Sequence, residues 1–163
     1  MKMRTIMISL LLSTLIHGCA VLQAPQINKS GDLSQYKFMV LPKTNSLSSS
    51  SASVYGGQYS LYGSSASKEV NPSQIIEGLL LKRGVVSTEA VRAGEEEKTL
   101  LIKYGESGKR DVAGGLGGYT LEVTIALISA KTNEVVYSCT AEGQGSTEAD
   151  DIREAIHRCL SGL

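Results

Sequence analysis

From Tyr119 to Ala141 apolar side chains fall on every second residue twice over, with a turn between the two runs and a helical stripe after them. Tyr119, Leu121, Val123, Ile125 and Leu127 alternate with Thr120, Glu122 and Thr124, and Val135, Tyr137, Cys139 and Ala141 repeat the pattern. A period of two puts each apolar set on one face of a sheet. Lys131-Thr132-Asn133-Glu134 separates the runs, and Asn133 suits a positive φ, so they pair as an antiparallel hairpin. Ile152, Ala155, Ile156, Cys159, Leu160 and Leu163 then recur at helical spacing. Thr147 caps that helix, Glu148, Asp150 and Asp151 complement its positive end, and His157 and Arg158 complement its negative end. A hairpin with one apolar face and a helix with one apolar stripe can bury both against each other.

The remaining pattern extends this layout. Asn71-Pro72 opens a second helix, with Ile75, Ile76, Leu79 and Leu80 on one face and Gly84 as its stop. Tyr36–Leu41 and Thr99–Tyr104 read as strands, the first ended by Pro42. The expected fold is α+β: a mostly antiparallel sheet with two helices packed on one face, a two-layer sandwich. With no Trp and one Phe, its core must rest on Val, Ile and Leu. Three stretches lack a period. Residues 45–53 are nearly all serine and are expected to form a flexible loop. Val54–Gly63 carries Tyr55, Tyr59 and Tyr62 among glycines, as a loose hairpin or an irregular loop. Gly105–Gly118, with six glycines, is expected to be a long mobile connection. Thr88–Glu97 is polar and can hold a helical turn.

The N-terminus carries a different signal. Lys2 and Arg4 precede an apolar run from Thr5 to Ile16, followed by Ile16-His17-Gly18-Cys19. A basic start, an apolar stretch and a small residue before a cut are the parts of a secretory signal. The tetrapeptide resembles the lipobox of bacterial lipoproteins, with an aliphatic residue at −3, a small one at −1 and Cys at +1. His17 departs from the usual small residue at −2. Cysteine is required because its thiolate is the nucleophile that takes up a diacylglyceryl group, and two or three acyl chains anchor stably where one does not. An uncleaved anchor helix is the alternative, although an apolar stretch from Thr5 to Leu22 is at the short end for a span. The expected organisation is a signal peptide at 1–18, a lipidated Cys19 with a tether over 19–35, and a single α+β domain at 36–163. Without Asp at +2 or an acidic cluster after Cys19, the expected address is the bacterial outer membrane, facing the periplasm.

Charge is balanced, with 16 basic and 16 acidic residues, and loss of Lys2 and Arg4 with the leader leaves a slight acidic excess. Nucleic acid calls for a concentrated basic face, and a basic pair such as Lys109-Arg110 makes no such footprint. Gly105-Glu-Ser-Gly108-Lys109-Arg110 looks faintly like a phosphate loop. Its first glycine is two residues too close, Arg110 replaces the hydroxyl residue and no helix follows. The Gly114–Gly118 run precedes a strand, which a dinucleotide fingerprint does not. No nucleotide site is expected. His157 is the one histidine of the mature chain, at a helix C-terminus where a cation is favoured, and no G-x-S-x-G elbow accompanies it. The acids at 148, 150 and 151 read as capping and Glu95-Glu96-Glu97 as a solvated run, so no catalytic residue, metal site or cofactor is expected. Cys139 and Cys159 form an even pair in an exported chain. Both point inward by their own periods and lie level when helix and strand lengths are compared, so they can bridge or remain two buried thiols. Tyr55, Tyr59 and Tyr62 are either a partner-binding loop, since tyrosine gives contact area at low entropic cost, or a flap that completes the core.

The block Gly145-Ser-Thr-Glu-Ala-Asp-Asp-Ile-Arg153 resembles one in small uncharacterised lipoproteins of Bacteroidetes. The resemblance includes Tyr-Gly-Gly-Gln-Tyr at 55–59, Val-Asn-Pro at 70–72 and Tyr-Gly-Glu-Ser-Gly at 104–108, and would cover most of the mature chain. The layout is also similar, in topology alone, to periplasmic domains of curli-secretion-like and envelope-assembly lipoproteins. Neither likeness brings catalytic residues with it. The expected role is a non-enzymatic binding or envelope-assembly module, held to the membrane by its lipid and contacting envelope proteins or glycan. An envelope hydrolase using Ser107, Lys109 and nearby acids is one alternative, and a purely structural lipoprotein is the other.

Overall fold

The computed structural model describes residues 22–57, 60–112 and 118–163, with the backbone alone over 51–57 and 60–66. In chain order the described elements are β1 (Gln26–Lys29), β2 (Phe38–Val40), β3 (Leu47–Gly57), β4 (Ser60–Val70), α1 (Pro72–Leu81), β5 (Val86–Ser87), β6 (Thr99–Asp111), β7 (Tyr119–Ser129), β8 (Val135–Gly143) and α2 (Glu148–Leu160). Six strands make one sheet in the order β1-β8-β7-β6-β2-β5, while β3 and β4 pair only with each other. The β1-β8-β7-β6 portion is antiparallel, and β2 runs parallel to both β6 and β5. The fold is α+β, as the residue pattern predicts.

One face of the sheet carries the core. Leu121, Val123, Ile125 and Leu127 of β7, with Tyr137, Cys139 and Ala141 of β8, are buried against Ile152, Ala155, Ile156, Cys159 and Leu160 of α2. Ile76 and Leu80 of α1, Met39 of β2 and Leu100 and Ile102 of β6 continue the same cluster. The local signals hold. Asn71 caps α1 through its side chain and Thr147 caps α2. Asn133 has φ 59° and Gly84 has φ 82°, as a tight turn and a helix stop require. A 3-10 turn occupies Glu96–Lys98.

Three expectations are corrected. The tether read over 19–35 contains a strand: Gln26–Lys29 pairs with β8 in the register Gln26↔Thr140 to Lys29↔Tyr137. All four of its residues are exposed, so it joins the sheet through backbone groups and leaves no apolar period in the sequence. The serine-rich stretch at 45–53 is mostly strand, because β3 pairs with β4 from Leu47↔Val70 to Gly57↔Ser60. A ladder needs only N–H and C=O groups, which serine supplies as well as valine. The expected mobile connection begins late, since β6 runs on to Asp111 against β7. A bulge between Glu106 and Gly108 shifts the register there and breaks the period of two by which a strand is recognised.

Candidate functional site

The described chain enters the domain at a charged clamp. Arg110 lies near the end of β6 and Glu142 near the end of β8; both flank β7 where Arg110↔Thr120 and Glu122↔Glu142 pair. The Arg110 fork donates from Nε to Glu142 Oε1 at 2.7 Å and from Nη2 to Oε2 at 2.8 Å. The backbone N–H of Gln23 donates to Glu142 Oε2 at 2.8 Å. From α2, Arg158 donates through Nη1 to the Glu142 carbonyl at 2.5 Å and through Nη2 to the Gln23 carbonyl at 2.6 Å. Gln23 is thus held on both its backbone polar groups by residues from β8 and α2. The Glu142 side chain is only 6 % exposed. Hydrogen bonding from Arg110 is the main reason its carboxyl is held down to about 2, with burial opposing and the Gln23 N–H assisting. Charge-assisted bidentate pairing is among the stronger hydrogen-bonding arrangements.

A second feature is the β3–β4 hairpin, eleven residues on each strand, or roughly 35 Å long at ~3.3 Å per residue. Its base is bolted to the start of α2. Ser49 Oγ accepts from the free N–H of Ala149 at 2.9 Å, Lys68 pairs with Asp150 at 2.7 Å, and Arg153 donates to the Glu69 carbonyl at 3.4 Å. Tyr55 and Tyr62 occupy directly opposed backbone positions toward the far end of this hairpin. Tyr59 and the side chains of Tyr55 and Tyr62 lie outside the described residues, as does Cys19.

Cys139 and Cys159 are joined, with Cα atoms 5.5 Å apart and a sequence separation of 20. The bridge ties the middle of β8 to the last turn of α2. Beside it the buried Tyr137 hydroxyl donates to the Cys159 carbonyl at 2.5 Å, and Arg83 donates to the Leu160 and Ser161 carbonyls. The last carbonyls of α2, which have no partner within the helix, are thereby satisfied from the sheet and from the segment after α1.

Ser107, Lys109 and the three acids at the start of α2 have structural partners. Ser107 Oγ accepts from Thr124 at 3.2 Å. Lys109 pairs with Glu148 at 3.2 Å and sits 4.7 Å from the Tyr119 ring. The Glu148 hydrogen bond raises the Lys109 ammonium above its ordinary value. The three acids of α2 diverge. Glu148 faces Lys109; Asp150 faces Lys68, whose hydrogen bond lowers its carboxyl to about 2. Asp151 is buried, which raises its carboxyl, and accepts from the Gly145 N–H. Among the described residues no group of three or more His, Cys, Asp or Glu is close enough to hold a metal ion, and no helix is long and apolar enough to cross a membrane. A cleft of about 290 Å³ opens over Leu80, Leu100 and Leu127, with Lys29, Asp32 and Lys37 at its mouth, at the small end for ligand pockets. Sequence reasoning singled out the cysteines and tyrosines but missed the clamp. Arg110 and Glu142 are 32 residues apart, and no local pattern marks such a pair.

No family model matches the chain, and no curated protein matches it either. Among solved structures, the PelC dodecamer from Paraburkholderia phytofirmans is 16 % identical with a TM-score of 0.52, the match covering 86 % of this chain and 98 % of that one. A point variant of the same dodecamer matches at 15 % identity and a TM-score of 0.47, over 84 % and 93 % of the two chains. At this distance the likeness is one of fold: the chain and PelC share an arrangement of sheet and helices.

Proposed function

We propose that the chain is a lipid-anchored module of the bacterial envelope that works by binding and assembly instead of catalysis. It is held through Cys19 in the outer membrane, faces the periplasm, and contacts envelope proteins or glycan. The observation that carries this reading is the N-terminal order of Lys2 and Arg4, an apolar run and Ile16-His17-Gly18-Cys19, the parts of an export signal with an acylatable cysteine. The bridged Cys139 and Cys159 suit an oxidising compartment outside the cytosol. The long β3–β4 hairpin favours assembly, because a two-stranded ribbon is marginal in water unless something packs on it. A chain of the same fold, PelC, forms a dodecamer, which makes self-association the first mode to test.

Expression of the whole precursor in a Gram-negative host tests the anchor. The mature protein should begin at an acylated Cys19 by mass and partition into detergent, and Cys19→Ser should abolish both. A native protein that begins at Met1 and stays in the aqueous phase would sink the reading. Light scattering on the detergent-solubilised protein tests assembly, with several copies per particle expected. A strictly monomeric particle that binds neither envelope protein nor peptidoglycan would remove that half.

A further inference from the structure

We infer that the domain does not swing freely below its anchor but stands with one end of its sheet against the bilayer surface. The end is the one where β6 and β8 finish and β7 begins. This rests on the lipid-anchor reading above, and the rest of the argument is one of length. Gln23 is only the fourth residue after Cys19, so at ~3.5 Å per residue Gln23 lies within about 14 Å of the acylated cysteine. Gln23 is fixed: its N–H is held by Glu142 and its carbonyl by Arg158. Glu142 is in turn locked by the Arg110 fork. After the clamp the chain enters β1 at Gln26 and stays in the sheet to Lys29. Beyond residues 20–22, no free chain is left to act as a tether.

The clamp sits at one extreme of the strands. Arg110↔Thr120 and Asp111↔Tyr119 are the last pairs of β6 with β7, and Leu121↔Gly143 is the last of β7 with β8. The opposite extreme is the Lys131–Glu134 turn, where Ser129 N–H meets the Glu134 carbonyl at 2.9 Å. Ser129 lies ten strand steps beyond Tyr119, or roughly 33 Å at ~3.3 Å each. An anchor that reaches about 14 Å from one end therefore holds Asp111 near the phospholipid headgroups and keeps Glu134 in the aqueous space.

The experiment uses the full acylated protein in vesicles of phosphatidylethanolamine and phosphatidylglycerol doped with a headgroup-nitroxide lipid. Asp111→Cys and Glu134→Cys each carry a small fluorophore. Both positions are exposed, and the native cysteines are either bridged or acylated, so the new thiol alone is labelled. Quenching at 111 should exceed quenching at 134 several-fold in protein that floats with the vesicles. Glu142→Gln, which loosens the clamp and lengthens the free chain after Cys19 from three residues to the six before Gln26, should shrink that difference while flotation persists. Equal quenching at the two positions in floating protein, or stronger quenching at 134, overturns the docked orientation and leaves the anchor standing. An undiminished difference in Glu142→Gln overturns the clamp as its cause. Protein that neither floats nor carries acyl chains by mass overturns the anchor and the orientation together.

Discussion

Single residues of this protein divide into those whose role is local and those whose role needs a distant partner. Asn71, Thr147, Asn133 and Gly84 act on backbone within a few positions of themselves, so each was legible in sequence. Glu142 is the opposite case, a nearly buried acid that depends on Arg110 across one intervening strand. Its carboxyl is held at about 2 against an ordinary 4.5, so the native state binds its proton less readily than the unfolded chain does. That stability is complete above 4.5 and is lost as pH falls toward 2. Because Arg110 is 42 % exposed, solvent screening reduces that contribution. Urea midpoints measured between pH 6 and pH 2.5 should fall less steeply in Glu142→Gln than in the native protein. The cysteines stand between the two cases, since each one's inward direction was local and only their meeting was tertiary. A Cys139→Ser, Cys159→Ser double variant should unfold at lower urea, losing about 3 kcal/mol for a closed loop of 20 residues.

At the scale of elements, legibility followed burial on one face. β7, β8, α1 and α2 each bury one side and leave the other wetter, so a period could be read from them. β1 is exposed throughout, the far half of β6 is mostly exposed, and β3 is rich in serine. Such strands form because their neighbours offer backbone partners, and their own side chains carry no record of it. The packing of α2 on β8 has its own signature in Gly143. A Cβ there would lie 1.8 Å from the Asp151 carbonyl oxygen and 2.9 Å from the Ala155 nitrogen, both backbone atoms that cannot turn aside. Gly143→Ala should force α2 off the strand end and cost about 3 kcal/mol, at the upper end for overpacking, read as a lowered thermal midpoint with native helix content. Were Gly143→Ala as stable as the native protein, the close approach of α2 to β8 would be wrong.

At the scale of the whole molecule, the described residues form a six-stranded sheet with its core on one face and a separate β3–β4 ribbon, and β1 closes the β8 edge of the larger sheet. Removing that strand makes a prediction about the assembly of the entire domain. A mature chain that starts at Gly31 lacks β1 and the Gln23 clamp, leaving the backbone groups of β8 from Tyr137 to Thr140 unpaired. An open edge of that kind recruits other strands. The truncated protein should self-associate or aggregate in size-exclusion chromatography at concentrations where the full domain gives one defined species. A truncated chain with the same particle size as the full one would mean that β1 contributes little to the edge.

The sequence alone determined the α+β class, the β7–β8 hairpin, the two capped helices and the inward direction of both cysteines, because each depends on spacing within one segment. Only the tertiary structure decided which strand neighbours which, that serine and glycine runs are laddered, and that Gln23 is gripped by β8 and α2. Backbone pairing and long-range ion pairs join residues far apart in the chain, and their chemistry is nearly indifferent to the side-chain periods by which a segment announces itself.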